Sequence, residues 1–431
     1  MQNSNSAVAE RAAPDRAAPD RAALSGIRVL DLADNAVAYA SRLLADLGAD
    51  VIRIEPPHRN AMRCAAPLAA SEDEAACCAH AFWNANKKAI TLDLGCADGR
   101  RLFGDLLAKS DVVIETFAPG TLSAWGIGYE TMRDRNPGII LVSVTPYGQT
   151  GPCAKFRATD LTLLAAGGLL SLGGYPEIGP VAVAGEQGYL AAAIFGAVAA
   201  LKALLERQGT NHGGTNHGQW LDVSGQECIA FALEDAIPEW YLNGSIRQRT
   251  GDQAREAGTG VYPCRDGYIS MVAGRLGTAK AFKTLVQWIA ESGTPGGDAL
   301  LDERWQDFKF RQSPEGIARF AEIFGLFCAS RSKQELYREG QARQIAIAPV
   351  NSVADIVDDP QLRANGYFQS LHDDALDRDV TLPGPPYRLA RTPATLRSAA
   401  PARGRHNRAV YVEELGLSEG DLCALTSAGV V

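Results

Sequence analysis

The sequence of 431 residues lacks the short motifs that identify several large enzyme classes. The first strand-like run, 27–33, is followed by no G-x-G-x-x-G and no Walker A pattern, which argues against a plain dinucleotide dehydrogenase and a P-loop NTPase. No G-x-S-x-G elbow occurs, so an ordinary serine hydrolase is not expected. There are only six histidines, and CCAH (77–80) has no second ligand pair at zinc spacing, so no metal site is predicted.

Basic charge and structured cysteine spacing are also lacking. A formal net charge of −8 offers no broad basic face for a nucleic acid. The nine cysteines are odd in number and form no C-x-x-C, which favours reduced thiols in a cytoplasmic protein. No signal sequence is recognised at the N-terminus. The apolar run 190–201 has 12 residues, fewer than the ~20 of a membrane span, and we expect a buried core helix and no membrane partner.

The chain has a repeated extension and then an alternating pattern. Residues 1–22 contain a tandem RAAPD repeat that cannot build a core, and we expect them to be disordered. Strands are predicted at 27–33, 50–55, 89–94, 111–117, 138–148 and 220–224. Helical segments separate several of them, including one from Glu186 to about Glu206, and this alternation predicts an α/β fold with a parallel sheet.

The pattern of predicted strands and helices changes further along the chain. We predict the first part of a large α/β domain over 23–206, a linker and connecting helix over 207–262, and a smaller α+β domain over 263–340. Residues 341–431 resume the earlier style and are predicted to return to the large domain.

Glu186 is the most informative single residue. It follows Gly185 at the start of a long apolar helix. The helix dipole and the free N–H groups of a first turn favour a carboxylate there, and a capping acid is the commonest such residue. The same field would also keep a carboxylate ionised for attack on an acyl carbonyl. The local sequence leaves both roles open.

Five segments follow one another in a characteristic order. They are LSGIRVLDLA with LLADLGADVIRIEPP (24–57), FWNANKKAITLDLG (82–95), DVVIETFAPGTLSAWGIGYE (111–130), the stretch 144–206, and IAPVNSVADIVDDPQLRANGYF (347–368). Together they resemble the class III CoA-transferases, the family of formyl-CoA and carnitine-CoA transferases that also includes 2-methylacyl-CoA racemases. The resemblance runs from about residue 24 to the C-terminus.

The resemblance implies a large Rossmann-like domain with a small domain, a mechanism and an assembly. Coenzyme A or acyl-CoA would be a substrate, with no permanently bound cofactor, and a small carboxylic acid would accept CoA. Two copies would interlock as a homodimer. Glu186 matches the family aspartate that attacks acyl-CoA, and backbone amides near Gly185 and Gln187 would stabilise the oxyanion. Glutamate is one methylene longer than aspartate, and a misplacement of ~1 Å can cost ~10²-fold in rate.

Several other positions carry expectations from the same resemblance. The turn NAVAY (35–39) replaces the family's Ala-Gly-Pro near the CoA site and is one residue shorter. Ala36 and Val37 are therefore expected to lie close to CoA. Lys87 and Lys88 match basic positions and are expected to face CoA phosphates, with solvated surface charge as the alternative.

Two further residues lie before the long helix. Arg157 matches a basic position in the loop that leads to the active-site side, so it too is expected to meet CoA phosphates. Asp160 matches a common family residue near the CoA site. Its favoured role is to cap the helix predicted over 161–171.

Alternative functions remain open at this point. A divergent acyl-CoA lyase, isomerase or hydrolase would use Glu186 as a general base, and a CoA-binding homologue without catalysis is the non-enzyme alternative. Ala124, where a basic residue often precedes Trp125, favours the latter. A racemase is disfavoured, because it needs a histidine as a second base. The position of that histidine in the family corresponds to residues near Thr159, where this sequence has none.

Overall fold

A computed structural model describes residues 22–58, 78–209, 216–251, 254–275, 279–373 and 377–431. Its central element is a parallel sheet with the strand order β3-β2-β1-β4-β5-β6. The strands are β1 Arg28–Leu32, β2 Asp50–Glu55, β3 Lys88–Thr91, β4 Val112–Glu115, β5 Ile140–Thr145 and β6 Trp220–Ser224. The predicted α/β fold with a parallel sheet is therefore confirmed. The predicted disorder of the RAAPD repeat concerns residues that lie, up to position 21, outside the described part of the chain.

The sheet is covered on both faces, which explains why its strands are apolar on both sides. In β1, Val29 packs into one core with Leu44 and Ala197. Its neighbour Leu30 points the other way, into a second core that contains Phe103. Successive side chains of a strand alternate between the two faces of the sheet. Because both faces are buried, neighbouring residues such as Val29 and Leu30 are both apolar.

Helices flank the sheet in the first part of the chain. They are α1 Tyr39–Asp46, α2 Cys78–Asn84, α3 Ala97–Leu107, α4 Thr121–Ala124, α5 Tyr129–Arg135, α6 Asp160–Ala166, α7 Gln187–Gln208 and α8 Gly225–Ala230. A 3₁₀ turn, Asn35–Ala38, joins β1 to α1. Helix α7 packs against this turn, α1 and β5.

The long helix is longer than the apolar run suggested. Helix α7 has 22 residues, and by length and composition it could cross a membrane, so the argument from a 12-residue run was wrong. Within the fold it lies close to the sheet, because Gly196 approaches β5 so tightly that a Cβ there would lie 3.2 Å from Val144 Cγ2. This close packing is that of a core helix.

The chain forms two compact units. The first comprises the described residues up to Leu169 together with Ala184–Glu234 and Ala364–Val431, and the second comprises Leu170–Val183 and Asp235–Arg363. The predicted boundaries at 206, 262 and 340 differ from these. The boundary at 340 was wrong because β9, Ala346–Pro349, pairs with β8 and completes the sheet of the second unit.

The second unit combines an antiparallel sheet with helices. Its strands are β7 Thr259–Cys264, β8 Gly267–Val272 and β9, in the order β7-β8-β9. Its helices are α9 Ala236–Asn243, α10 Ala279–Glu291, α11 Phe308–Gln312, α12 Pro314–Ala329, α13 Lys333–Ala342, α14 Val353–Val357 and α15 Pro360–Ala364, whose last residue belongs to the first unit. Aromatic side chains, including Trp305 and Phe320, fill its core.

The C-terminal residues belong to the first unit. They form an antiparallel hairpin of β10, Phe368–Asp373, and β11, Arg378–Pro383, then a π-helical turn, Arg408–Glu414, and α16, Glu419–Ser427. Tyr411 of the π-helical turn is buried and donates a hydrogen bond to the carbonyl of Thr91 in β3. Residues from Ala364 to Val431 thus lie in the same compact unit as the parallel sheet.

Candidate active site at the start of the long helix

Glu186 occupies the N-cap position of α7 but does not act as a cap. Its side chain makes no capping hydrogen bond to the first turn of the helix. Gly185 before it has φ +84°, a left-handed conformation that glycine adopts without strain. The chain therefore turns into the helix at a glycine, and the Glu186 carboxylate is directed to another part of the protein.

That other part is the turn after β1. The Glu186 Oε2 atom accepts a hydrogen bond of 3.1 Å from the backbone N–H of Ala36, 150 residues earlier in the chain. Ala36 and Val37 are both buried, at 0% and 2% exposure. Neither residue is thus open to a ligand in this structure, whereas Asp34 and Asn35 just before them are exposed. The expected contact of Ala36 and Val37 with CoA stays a prediction.

The surroundings of Glu186 disfavour its charged form. Partial burial raises the pKa of its carboxyl, and the negative charges of Asp160 and Asp34 raise it further. The Ala36 N–H opposes the shift, because a hydrogen bond to a carboxylate stabilises the anion. A carboxylate with a raised pKa is more basic than one in water, and such groups are concentrated at reactive sites.

Asp160 caps α7 rather than its own helix. Its Oδ1 atom accepts a hydrogen bond of 2.9 Å from the backbone N–H of Tyr189, in the first turn of α7. Helix α6 is capped instead by Thr159, which forms a capping box with Thr162. The predicted cap was therefore assigned to the wrong helix, because the partner lies 29 residues further along the chain.

The close approach of Asp160 depends on a glycine. A Cβ at Gly188 would lie 3.1 Å from Asp160 Oδ1 and 3.0 Å from Ile229 Cδ1. Both distances are tighter than ordinary van der Waals contact, so a larger residue would push against the cap. The sequence G-E-Q-G thus supplies a turn at its first glycine and room for Asp160 at its second.

Lys87 is neither a phosphate ligand at the surface nor a solvated charge. Its ammonium is fully buried and donates hydrogen bonds of 2.8 Å to Asp31 Oδ2, to the carbonyl of Ala38 and to Asn84 Oδ1. Burial lowers the pKa of Lys87 to about 8, against the opposing attraction of Asp31. Both predictions for this lysine were wrong, because Asp31 on β1, two strands away in the sheet, compensates its charge inside the protein.

Lys88 lies at the other end of the sheet. It is the first residue of β3 and forms ion pairs with Asp50, 3.0 Å, and Glu414, 3.2 Å. Glu186 meets the turn that follows the last residue of β1, at the carboxyl edge of the same parallel sheet. The structure therefore places Lys88 in ion pairs away from the turn that Glu186 contacts, a position that does not support its expected contact with CoA phosphates.

The remaining predicted residues flank the site. Arg157 is exposed, three residues before Asp160, so its expected contact with a phosphate stays a prediction. Gln187 is exposed and its side-chain amide donates to the carbonyl of Ala184 at 3.2 Å. Among the residues that the structure describes, no three His, Cys, Asp or Glu side chains are placed to hold a metal ion.

A cavity that the motifs did not identify lies beside this site. It has a volume of about 340 Å³ and is lined by Asp34, Arg53, Pro56, Phe117 and Trp125, among others. It lies beyond the carboxyl ends of β1, β2 and β4, where the strand order 3-2-1-4 reverses its direction. Ligands of doubly wound sheets bind at this reversal. The signal that locates this cavity is the strand order of the sheet, which the motifs do not reveal.

Comparison with known proteins agrees with this architecture. A family model described as CoA-transferase family III matches residues 24–407, and the chain belongs to that family. It is a class III CoA-transferase, which moves CoA between an acyl-CoA and a carboxylic acid.

Individual relatives cover nearly the whole chain. The chain is 35% identical to the BbsE subunit of succinyl-CoA:(R)-benzylsuccinate CoA-transferase from Thauera aromatica, over 90% of this chain and 93% of that one. It is 30% identical to succinyl-CoA–D-citramalate CoA-transferase from Chloroflexus aurantiacus, over 95% and 98%. The crystal structure of a CAIB/BAIF family protein from Brucella suis superposes with a TM-score of 0.77 at 26% identity, over 91% of this chain and 99% of that one.

Proposed function

We propose that Glu186 is the nucleophile of a CoA transfer that proceeds through a glutamyl-CoA thioester. One observation carries the proposal: the Glu186 carboxylate lies at the start of α7, is not used as a cap, and is oriented by the Ala36 N–H at 3.1 Å. A capping acid would instead bond to its own helix. The site thus has a carboxylate that is held in one orientation and is free of a capping role, as covalent catalysis by a carboxylate requires.

Each step exchanges one acyl–heteroatom bond for another. A Glu186 oxygen attacks the thioester carbonyl carbon, the carbon–sulfur bond breaks and CoA leaves as a thiolate, which gives a mixed anhydride. The thiolate then attacks the Glu186 carbonyl carbon and releases the donor acid as its carboxylate. The acceptor carboxylate attacks the carbonyl carbon of the glutamyl thioester, the carbon–sulfur bond breaks, and CoA leaves again as a thiolate beside a second mixed anhydride. The thiolate finally attacks the acceptor's acyl carbon and frees the Glu186 carboxylate, so no water enters.

Backbone amides supply the stabilisation of the oxyanions. The N–H groups of a first helical turn have no acceptor within the helix. Asp160 takes the N–H of Tyr189, and the N–H groups of Gln187 and Gly188 in the same turn are our proposed donors to the reacting carbonyl. They lie at the positive end of the α7 dipole, where negative charge is favoured. Donors fixed in this way before the reaction stabilise developing charge most effectively.

The 340 Å³ cavity is our proposed position for part of CoA. Asp34 lines this cavity and directly precedes the turn that holds Ala36, so one ligand can extend from the cavity to Glu186. The exposed Arg157 is then available to phosphates of CoA, as its position before Asp160 suggests.

An interlocked homodimer is part of the same proposal. Helix α7 exposes about half of Ile194 and of Val198, and Phe231 beside it is 69% exposed. A second copy of the chain would cover these apolar side chains, since monomers rarely leave such patches in water. Sedimentation or light scattering of the purified protein would test this, and a monomeric particle would contradict it.

Mass spectrometry of the reacting enzyme tests the mechanism. Two relatives have succinyl-CoA in their names, so succinyl-CoA is the first donor to use. We expect a CoA adduct on the peptide that contains Glu186, and its conversion by hydroxylamine to a hydroxamate at the same residue. Glu186→Gln is the matched control, which should give neither product. Turnover without any adduct would instead indicate a lyase, isomerase or hydrolase with Glu186 as a general base, and CoA binding without turnover would indicate a non-catalytic homologue.

A further inference from the structure

A buried charged cluster lies directly under the turn that orients Glu186. Lys87 and Asp31 form an ion pair of 2.8 Å, and both side chains are completely inaccessible to solvent. Arg53 of β2 approaches the other oxygen of Asp31 at 3.4 Å and is 4% exposed. Asn84 accepts the third proton of the Lys87 ammonium, 2.8 Å away.

The cluster holds the backbone on both sides of Ala36. On one side, the Ala33 N–H donates to Asp31 Oδ1 at 2.9 Å, and the Ala33 carbonyl accepts from Arg53. On the other side, the Ala38 carbonyl accepts from Lys87 at 2.8 Å. Only four residues lie between these two anchors, and Ala36, the donor to Glu186, is one of them.

Stability alone does not account for these charges. Removing two charges from water costs several kcal/mol per ion, and a buried pair is often no more stable than apolar residues of similar volume. An ammonium with three acceptors, however, has one permitted position. It thus fixes the relative places of β1, the turn and α2 in a way that apolar packing would not.

We infer that the Lys87–Asp31 pair is a positioning device for catalysis, which keeps the Ala36 N–H within hydrogen-bond distance of the Glu186 carboxylate. The inference rests on the proposed role of Glu186. Neither Lys87 nor Asp31 touches Glu186, and both act through the main chain of residues 33–38. Loss of the pair lets the turn relax, and the Glu186 anion then loses its hydrogen bond.

The charged neighbours define what the test must control. Glu186 faces Asp34 just before the turn, Asp160 on α6 and Tyr189 on α7. Lys87 faces Asp31 on β1, Arg53 on β2 and Arg42 on α1. The test should therefore remove the pair as a unit, which leaves the net charge of the site unchanged.

The double variant Asp31→Asn with Lys87→Met is the main test. Asparagine can still accept the Ala33 N–H, and the buried Arg53 keeps the Ala33 carbonyl and Asp34 as partners. This variant therefore keeps a route to folding, whereas Lys87→Met alone removes the nearer partner of the buried Asp31 carboxylate. We expect kcat to fall tenfold or more, with the KM for acyl-CoA changed less than about twofold. We also expect the acidic limb of the pH–rate profile to move up by about one pH unit, since loss of a hydrogen bond to the anion raises the pKa of Glu186.

The adjacent lysine provides the matched control. Lys88→Met removes ion pairs with Asp50 and Glu414 but no contact with the turn, and it should leave kcat and the acidic limb unchanged. A double variant with the wild-type kcat and acidic limb would overturn the inference.

A second measurement does not need turnover. The pH dependence of carbodiimide labelling at Glu186, followed on its peptide by mass spectrometry, reports protonation of this carboxyl directly. An upward shift of the labelling midpoint in the double variant, but not in Lys88→Met, supports positioning even if the wild-type protein transfers no CoA. An identical midpoint in all three proteins would refute positioning whatever the activity is, so its failure is distinguishable from failure of the proposed function.

Discussion

Replacing Glu186 by aspartate would show whether this site is built for the longer acid. The substitution shortens the side chain by one carbon–carbon bond, about 1.5 Å. The Glu186 carboxylate now accepts the Ala36 N–H at 3.1 Å, already in the longer part of the normal range. If the carboxylate withdraws by even a third of the carbon–carbon bond length, the hydrogen bond breaks unless the backbone moves.

The expected loss follows from the strength of that hydrogen bond. A hydrogen bond to a charged group contributes about 1.5–3 kcal/mol, equivalent to a factor of roughly 10–150. We therefore expect the first half-reaction of Glu186→Asp to be slower than wild type by that factor. The assay is quenched-flow formation of the enzyme–CoA adduct, with Glu186→Gln as the blank.

The opposite outcome would refute this reasoning. An aspartate variant as fast as the wild type would show that the Ala36 contact does not orient the reacting carboxylate. A faster variant would show that glutamate at 186 weakens an older site for aspartate. The KM for acyl-CoA should stay within a factor of about two, because the change lies at the reacting end of the ligand.

Two other substitutions separate charge from structure. Asp160→Asn keeps an acceptor for the Tyr189 N–H but removes a negative charge near Glu186. The pKa of Glu186 and the acidic limb of the pH–rate profile should therefore both move down. Asp160→Ala also removes the acceptor and should in addition lower the free energy of unfolding by about 1 kcal/mol in denaturant titrations. An acidic limb that does not move in Asp160→Asn would contradict the electrostatic argument. Glu115, buried at the end of β4, accepts the Phe117 N–H, and burial raises its pKa to about 7. Between about pH 4.5 and pH 7 the folded state keeps this proton, whereas the unfolded state has released it. The free energy of unfolding therefore falls progressively as the pH rises through this range, by roughly 3 kcal/mol in all. Glu115→Gln cannot ionise, and its melting temperature relative to wild type should rise between pH 5 and pH 8; parallel pH curves would show that the proton is not held in the fold.

The sheet could be predicted from the sequence because each strand has its own local signal. Apolar runs bounded by polar or glycine-containing segments located all six parallel strands, and DVIRIE matches β2 at both ends. The hairpin of β10 and β11 was missed, since polar residues dominate it and its partner strands leave no apolar pattern. Hydrophobic periodicity reports burial, so it detects strands in a core better than strands at a surface.

The sequence predicted a site residue correctly only where its position depends on residues next to it in the chain. The position of Glu186 at the start of α7 followed from Gly185 and the apolar residues beyond it. The burial of Lys87 did not, because it depends on Asp31, 56 residues earlier. A lysine is normally exposed, and only a partner brought close by the fold makes its burial tolerable.

The contact between Ala36 and Glu186 has a consequence for how this site can vary during evolution. The donor is a main-chain amide, so nineteen of the twenty amino acids could supply it, and only proline could not. The complete burial of Ala36 limits the choice further, to small residues. Substitutions at position 36 that keep a small side chain and avoid proline therefore keep the hydrogen-bond donor to Glu186, whatever the letter at that position.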